Sequence, residues 1–472
     1  MVKALDDLEL RVVMDVVYNH THASGQSPVS VFDRIVPGYY HRLDERGNVH
    51  TSTCCQNTAS EHRMMQKFMV DDVVHWATNH RIDGFRFDLM GHHMKSDMVA
   101  VRDALRALTV EEHGVDGSKI YVYGEGWDFG EVQGNQRGMN ATQPNMAGTG
   151  IGTFNDRIRD AVRGGSPFSD RREQGYATGL GVMPNGMPGS DDLGRLRDLA
   201  DRVRAGLAGN LRDFRFGNRR GGQLGAYALD PQESIQYVSA HDNETLFDKV
   251  QLSAPRAASI DERVAMHQFA LGIVTMAQGV PFFHAGGELL RSKSMDADSY
   301  DSGDWFNRLD FSGATTTWGA GLPPAEKNRE RWDVMRPLLA DPDLVPTSEH
   351  ILDTAGFFRR MLRVRFGSPL FRLRTGDQIQ QRVLFPPTEA PGLIAMHVLD
   401  VGEGVEDLDP DLRQMLVLFN PDREEATFGD GRWTRFDMQL HAEVEAGVGS
   451  FDRDTGTFTV APHGIAVFVE PQ

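Results

Sequence analysis

The sequence predicts an α/β fold, a parallel (β/α) barrel followed by a C-terminal antiparallel β-sandwich. Strand-like apolar runs alternate with helix-like periodic runs through about residue 300, a pattern typical of a parallel sheet covered by helices. Four of the strand-like runs end in a carboxylate or an Asn-His pair, and the βα-loops of a barrel gather such groups at one catalytic face. These runs are VVMDVVYNH (12–20), GFRFDLMGH (84–92), IYVYGEGWD (120–128) and IQYVSAHDN (235–243).

The same patterns predict the order of the elements. The expected strands lie at 11–17, 82–88, 120–125, 235–240 and 273–283. The expected helices lie at 61–80, 96–108, 156–163, 191–206 and 260–272. Short alternating runs at 392–399, 413–419 and 457–469, separated by Gly, Pro and Asp turns, predict the sandwich.

The spacing of the acidic strand ends predicts an insertion. Asp88 and Glu125 are 125 − 88 = 37 positions apart, about one βα unit, whereas Asp15 and Asp88 are 88 − 15 = 73 positions apart. Residues 22–60, rich in Ser, Pro, Gly, His and Asn, are therefore expected to form a long irregular loop over the barrel mouth.

Composition limits the class of protein and its partners. The chain has 472 residues, 40% of them hydrophobic and 25% charged, as in globular proteins. A net charge of -18 argues against nucleic acid, because phosphate would be repelled. No apolar run is long enough for a membrane span, so no membrane partner is expected. Cytoplasmic and secreted locations both stay open, as does the oligomeric state.

The two cysteines of the chain, Cys54 and Cys55, are adjacent. This spacing excludes a disulfide framework and a CxxC metal motif. We interpret them as two thiols in a packed loop, because free cysteines are usually buried. A vicinal disulfide is the less favoured alternative.

The acidic strand ends have neighbours that favour acid–base and nucleophilic chemistry. Side chains in a strand alternate with period two, so Arg86 shares a face with Asp88 and is expected to keep that carboxylate ionised. Glu125 precedes Gly126-Trp127, and aromatic surface beside a carboxyl group favours its protonated form. A nucleophile paired with an acid is the arrangement used for glycoside hydrolysis. Imidazoles beside two other strand ends, at His20 and His241, are suited to hydrogen bonds with sugar hydroxyls.

The four runs resemble the ordered sequence signatures of the α-amylase superfamily of glycoside hydrolases, and within it the pullulanase and limit-dextrinase type. Three further stretches share the resemblance, which extends from about residue 8 to the C-terminus. They are TCCQNTA (53–59), GTFNDR (152–157) and QGVPFFHAGGELLRSKSMDADSYDSGDWFN (278–307).

The resemblance implies a (β/α)8-type barrel that lacks its first two strands. Family members place two barrel strands before DVVYNH, whereas 14 residues precede Asp15 here, so the chain is expected to be truncated at its N-terminus. The expected domains are a partial catalytic barrel at 1–345, with the inserted loop at 22–60, a connecting segment at 346–377 and the β-sandwich at 378–472.

The resemblance also implies an activity and its residues. The expected reaction is hydrolysis of α-1,6-glucosidic branch linkages in pullulan, limit dextrins and related α-glucans, by a retaining double displacement. Asp88 is the implied nucleophile, Glu125 the general acid and base, and Asp242 the third carboxylate. The implied substrate-binding residues are His20, Arg86, His241, Trp127, Tyr300, Asp301 and Trp305, with Asp15 and Asn19 as supports.

No cofactor is required by the sequence, and no metal ligand is assigned. Calcium is common in the superfamily and stays open, because no segment has the alternating Asp ligands of an EF-hand loop. The alternative functions are an inactive or glucan-binding fragment of such an enzyme, and another α-glucan-active member of isoamylase-like or transglycosylating type.

Overall fold

The structure is a computed structural model that describes residues 1–400, 404 and 406–472. These residues form two compact units. The first unit contains Met1–Phe154 and Tyr227–Ile235, and the second contains Asn155–Ala226 and Gln236–Gln472. The predicted sandwich range, 378–472, includes residues 401–403 and 405, which lie outside the described residues.

The secondary structure alternates between short strands and helices before a strand-rich C-terminal part. The strands are β1 (Val13–Val16), β2 (His20–Thr21), β3 (Gln56–Asn57), β4 (Gly84–Phe87), β5 (Tyr121–Gly124), β6 (Gly152–Phe154), β7 (Arg215–Phe216), β8 (Arg219–Arg220), β9 (Ser234–Gln236), β10 (Val280–Pro281), β11 (Val383–Leu384), β12 (Ile394–Leu399), β13 (Leu412–Phe419), β14 (Ala426–Gly429), β15 (Gln439–Leu440), β16 (Gly449–Asp452), β17 (Thr457–Val460) and β18 (Ile465–Pro471). The α-helices are α1 (Val2–Asp6), α2 (Phe32–Ile35), α3 (Arg63–His80), α4 (Lys95–Arg106), α5 (Val110–His113), α6 (Gln143–Met146), α7 (Asp156–Arg163), α8 (Leu193–Leu207), α9 (Leu246–Ser253), α10 (Ile260–Met276), α11 (Asp304–Asn307), α12 (Ala325–Asn328), α13 (Trp332–Leu339), α14 (Ser348–Gly367) and α15 (Gly376–Arg382).

The first unit is built on a parallel ladder in which β1, β4, β5 and β6 are neighbours in chain order. Ser234 and Ile235 of β9 continue the ladder beside β6. Consecutive parallel neighbours require a crossover between each pair of strands, and α3 and α4 supply two of these. Every residue of β4 is buried, as expected for a strand covered on both faces.

One predicted strand of the second unit is wrong for most of its length. The range 273–283 was expected to be extended, but α10 continues to Met276 and only Val280–Pro281 is strand. A capping box at Ser259 and Glu262 begins this helix, and most of its residues are buried. A fully buried apolar run has no amphipathic period, so its sequence does not separate helix from strand.

The C-terminal part of the second unit is a two-sheet antiparallel sandwich, as the sequence predicts. One sheet has the order β11-β12-β13-β18-β15 and the other β14-β17-β16. The two sheets share one apolar core, in which the Phe458 and Phe468 ring centroids are 4.8 Å apart. The predicted run 457–469 is two strands, β17 and β18, because a turn at Pro462–Gly464 divides it.

The range 346–377, predicted as a connecting segment, contains the long helix α14. Arg365 of this helix is buried and donates hydrogen bonds to the carbonyl oxygens of Thr275, Ala277 and Gly279, at and after the end of α10. Among the described residues, no helix has both the length and the apolar character needed to cross a membrane.

Replacing Tyr176 with Phe tests how the sandwich is held within the second unit. The buried Tyr176 hydroxyl donates hydrogen bonds to the carbonyl oxygens of Gly392, at 2.7 Å, and Phe419, at 3.2 Å. Tyr176→Phe leaves these oxygens short of a donor and should lower the free energy of unfolding by about 1 to 3 kcal/mol. Urea denaturation measures this loss, and Tyr300→Phe, at a residue that is 82% exposed, is the matched control. An unchanged denaturation midpoint for Tyr176→Phe would contradict the assignment.

Candidate active site

The centre of the site in the first unit is Arg86, on β4. Its Nη1 lies 2.8 Å from Asp15 Oδ1 and 3.1 Å from Asp88 Oδ1, and its Nη2 lies 2.7 Å from Glu125 Oε1. The parallel register puts Asp15 of β1 directly opposite Arg86, and the period of two puts Asp88 on the same side. Burial on its own lowers the pKa of Arg86, but the three carboxylates outweigh it and raise this pKa. The guanidinium is therefore fully charged.

Glu125 is more strongly anchored than the sequence indicates. Its Oε2 accepts a hydrogen bond from the backbone N–H of Leu89, at 2.9 Å, in addition to the ion pair with Arg86. Leu89 adopts a left-handed conformation with φ of 37°, which an L-residue rarely occupies. Glu125 was expected beside aromatic surface, with its protonated form favoured. The structure places this carboxylate against a cation, Arg86, and a backbone donor, the N–H of Leu89.

Trp127 lies on the loop that follows Glu125 and is half-buried. The loop after β4 approaches it closely, because Gly91 has no side chain and a Cβ there would collide with the Trp127 carbonyl oxygen. The Gly91 N–H also donates to the Glu125 carbonyl oxygen, at 2.8 Å. The loops that carry Asp88 and Glu125 are thus held to each other by backbone contacts.

Asn19 and His20 follow β1 and lie beside Asp88. The Asn19 amide is oriented so that both its oxygen and its nitrogen have hydrogen-bond partners. The oxygen accepts a hydrogen bond from His20 Nδ1 at 2.9 Å, and the nitrogen donates one to Asp88 Oδ2 at 3.3 Å. Burial lowers the pKa of His20, and the nearby Asp88 carboxylate offsets this only in part. The ring is therefore neutral near pH 7, and with the proton on Nδ1 its Nε2 can accept a hydrogen bond.

A buried ionic network, which the sequence analysis did not find, ties the 22–60 loop to the loop after Trp127. The Arg42 guanidinium donates to Glu61 and to Glu131. Glu131 also accepts hydrogen bonds from Ser52, at 2.5 Å, and Asn57, at 3.0 Å. Burial raises the pKa of Glu131, but the hydrogen bonds from Ser52, Arg42 and Asn57 outweigh it and lower this pKa to about 2.

Cys54 and Cys55 are not free thiols, so the favoured interpretation of these residues is wrong. Their sulfurs are bonded to each other as a vicinal disulfide in the turn before β3. Cys54 Sγ lies 3.4 Å from His20 Nε2. In the part of the chain that the structure describes, His20, Cys54 and Cys55 are the one group of three His, Cys, Asp or Glu side chains close enough for a metal ion. This group has no carboxylate, so it does not suit calcium.

The second unit carries His241 and Asp242. Both side chains are exposed, by 58% and 63%, and His241 Nε2 lies 3.7 Å from Asp242 Oδ1. The backbone at His241 is fixed by Lys293, whose buried ammonium group donates a hydrogen bond to the His241 carbonyl oxygen at 2.9 Å. Asp248, which accepts from the Lys293 backbone N–H, is fully buried, and this burial raises its pKa to about 6.

The predicted glucan-binding residues Tyr300, Asp301 and Trp305 also lie in the second unit. Tyr300 is 82% exposed, and its ring is covered by the Lys327 ammonium at 3.8 Å, while Asp301 pairs with the same ammonium at 2.5 Å. The Trp305 indole donates to the Ala320 carbonyl oxygen and lines a surface depression with Asp304, Asn307 and Arg308.

Comparison with known proteins places this geometry in context. Residues 313–471 match the family model described as "Alpha-1,6-glucosidases, pullulanase-type, C-terminal". The whole chain aligns with 52% of the length of Pullulanase 1, chloroplastic, from Arabidopsis thaliana, with 46% sequence identity. It also aligns with 44% of the length of a pullulanase from Klebsiella pneumoniae, with 39% identity. The crystal structure of a Klebsiella pneumoniae pullulanase in complex with maltotriose superposes on the chain with a TM-score of 0.91 and 37% sequence identity. The superposition covers all of this chain and 46% of the Klebsiella chain. The chain thus spans about half the length of the curated relatives it matches.

Replacing Arg86 with Met tests whether one cation holds the three carboxylates. The substitution removes the counter-charge of the buried Glu125 and of Asp88 and Asp15, which are 24% and 52% exposed, so Arg86→Met should lower the free energy of unfolding by about 3 kcal/mol, the lower end for a broken buried pair. Urea denaturation at pH 7 measures the loss, which should shrink at pH 4 as the carboxylates take up protons. Arg46→Met, at an exposed position of the same unit, should change little. An equal loss at both pH values would contradict the electrostatic explanation.

The Glu131 network predicts a pH dependence of stability. The folded-state pKa of about 2 lies below the ordinary value of 4.5, so the unfolded chain takes up a proton first as the pH falls. The stabilisation is therefore complete above the ordinary pKa and is lost as the pH falls toward the folded-state value. The difference in melting temperature between the wild type and Glu131→Gln should narrow over this acid range. A melting-temperature difference that stays constant over this pH range would show that the ionisation of Glu131 does not cause it. Glu45→Gln, at an exposed position, is the control.

Proposed function

The chain belongs to the pullulanase-type α-1,6-glucosidases, and from this premise we propose that it hydrolyses α-1,6-glucosidic branch linkages in pullulan, limit dextrins and related α-glucans. The observation that carries the proposal is the placement of Asp88 and Glu125 on the same guanidinium, at 3.1 and 2.7 Å. Glycoside hydrolysis requires two carboxyl groups that act on one bond. The maltotriose bound to the Klebsiella pneumoniae pullulanase supports an α-glucan oligosaccharide as the ligand.

The proposed reaction is a retaining double displacement. Asp88 attacks the anomeric carbon, the bond to the glycosidic oxygen breaks, and Glu125 donates its proton to that oxygen. Glu125 then takes a proton from water, and the water oxygen displaces Asp88 from the sugar. Two contacts support Asp88 as the nucleophile: Arg86 holds its Oδ1, and the Asn19 amide holds its Oδ2.

Glu125 must carry a proton when it acts as the acid in this reaction. Its carboxylate is paired with Arg86 and with the N–H of Leu89. A bound glucan removes water from the site, and desolvation favours the neutral form of a carboxyl group. We expect Arg86 then to serve Asp88 and Asp15, and Glu125 to take up the proton that it transfers.

The remaining residues have supporting roles in the proposal. Asp242 and His241, with exposed side chains, are proposed to hold sugar hydroxyls. His20 accepts a hydroxyl hydrogen bond at Nε2. Trp127, Tyr300 and Trp305 provide stacking surfaces for the glucan chain, and Asp301 fixes the lysine over Tyr300.

The parallel ladder is proposed to be part of a (β/α)8 barrel. Its strands follow one another in chain order, as barrel strands do. Among the described residues, β1 pairs only with β4, and Val13, at the start of β1, and Val17, just after it, are exposed. That edge is suited to two further strands of the same barrel.

The activity is tested by incubating the purified chain with pullulan and identifying the products. Maltotriose with new reducing ends is expected, whereas cleavage of α-1,4 bonds would support another α-glucan enzyme. Glu125→Gln should reduce kcat by about 100- to 10,000-fold, the usual contribution of a general acid and base. Asp88→Asn should abolish turnover, and Glu45→Gln should leave it unchanged.

A folded wild-type chain without turnover would refute the proposed activity. Calorimetric titration with maltotriose would then decide whether the chain is a glucan-binding fragment. Circular dichroism of every variant ensures that a loss of turnover is not a loss of folding.

A further inference from the structure

The vicinal disulfide lies beside a histidine, His20, and this arrangement suggests a chemical role beyond the proposed reaction. Cys54 is exposed, so a dithiol in solution can reach its sulfur. His20 Nε2 lies 3.4 Å from that sulfur, and one ligand atom from each of His20, Cys54 and Cys55 lies within 4.8 Å of the others. Two sulfurs and an imidazole nitrogen are ligands that zinc prefers.

The spacing of the histidine nitrogen and the Cys54 sulfur already suits a tetrahedral metal ion, and breaking the S–S bond lets the two sulfurs move apart to bind the same ion. With Zn–S bonds of about 2.3 Å and Zn–N bonds of about 2.0 Å, a nitrogen and a sulfur on one zinc ion are about 3.5 Å apart. The observed separation of His20 Nε2 and Cys54 Sγ is 3.4 Å. Three protein ligands leave the fourth position of the ion for water.

The surroundings of His20 also prepare its ring for a metal. Metal-binding histidines usually donate their second N–H to a fixed acceptor, which sets the tautomer. Here His20 Nδ1 faces the Asn19 amide oxygen at 2.9 Å, so the lone pair of Nε2 points toward the sulfurs. The pairing of β2 with β3, His20 opposite Asn57, keeps the histidine and the cysteine turn side by side.

We propose that reduction of Cys54–Cys55 creates a zinc site formed by His20 and the two thiolates, and that the bound metal inhibits the enzyme. A dithiol gives two electrons and two protons to the disulfide and becomes a disulfide itself. Zinc then binds the two sulfurs and the imidazole, and two protons are released. His20 is no longer available to the sugar, so the inhibition, unlike the metal binding, rests on the proposed function.

The first test measures metal alone and needs no substrate. The chain is reduced with dithiothreitol, freed of it under nitrogen, dialysed against micromolar Zn²⁺ and analysed for bound metal. The reduced protein should hold about one equivalent more zinc than the oxidised protein, and cobalt(II) should give a thiolate charge-transfer band. Because the chain has only these two cysteines, no other thiol contributes. Equal zinc in both states would overturn the proposal.

Variants identify the ligands. Cys54→Ser and Cys55→Ser should each lose the extra equivalent, and His20→Ala should weaken zinc binding by at least about 10-fold, the lower end of what outer-shell changes cost. His22→Ala, an exposed histidine of the same loop, should bind zinc as the wild type does. Zinc binding that survives both serine variants would place the metal elsewhere and refute the site.

The second test measures hydrolysis of pullulan. Zinc should inhibit the reduced protein but not the oxidised one, EDTA should restore the rate, and the metal-free reduced protein should stay active. Inactivity of the metal-free reduced protein would refute inhibition by the metal. A chain that binds zinc on reduction but never cleaves pullulan would refute the proposed function and leave the metal site intact.

Discussion

One guanidinium, that of Arg86, makes it possible for this chain to hold three carboxylates in one place. Like charges repel one another more strongly where water is excluded. Water is largely excluded here, because Arg86 and Glu125 are both buried. A planar fork with five N–H donors can satisfy several acceptors at once, which an ammonium group cannot do with fixed geometry. The parallel register that sets Asp15 opposite Arg86 is therefore a chemical constraint as well as an architectural one.

The loops that follow the strands are strained and close together because the site needs backbone donors as well as side chains. Leu89 adopts an unfavourable left-handed conformation, and its N–H donates a hydrogen bond to the Glu125 carboxylate. Gly91 lets the next turn approach Trp127 without a Cβ in the way. Strain of this kind persists only where surrounding contacts enforce it, and it is concentrated at functional sites.

Local periodicity in the sequence predicts local geometry well and distant pairing poorly. The period of two correctly relates Arg86 to Asp88, and β-branched and aromatic runs locate β1, β4 and β5 of the ladder, whereas the short strand β6 was not predicted. The pairing of Glu125 with Arg86, 39 positions earlier by 125 − 86, follows from sheet order and has no local signature. The same holds for Glu131, whose partner Arg42 is 89 positions away. The end of α10 was missed because residues 269–276 are all buried, so this part of the helix has no polar face.

The acids of the two units differ in how their charge is compensated, and this difference supports the different roles proposed for them. In the first unit Asp88 and Glu125 lie close to Arg86, so their geometry is fixed before any ligand arrives. In the second unit Asp242 is 63% exposed, with His241 3.7 Å away, so water compensates most of its charge. Fixed groups suit bond making and breaking, where small displacements are costly. A hydrated carboxylate on a firmly held backbone can instead exchange water for sugar hydroxyls.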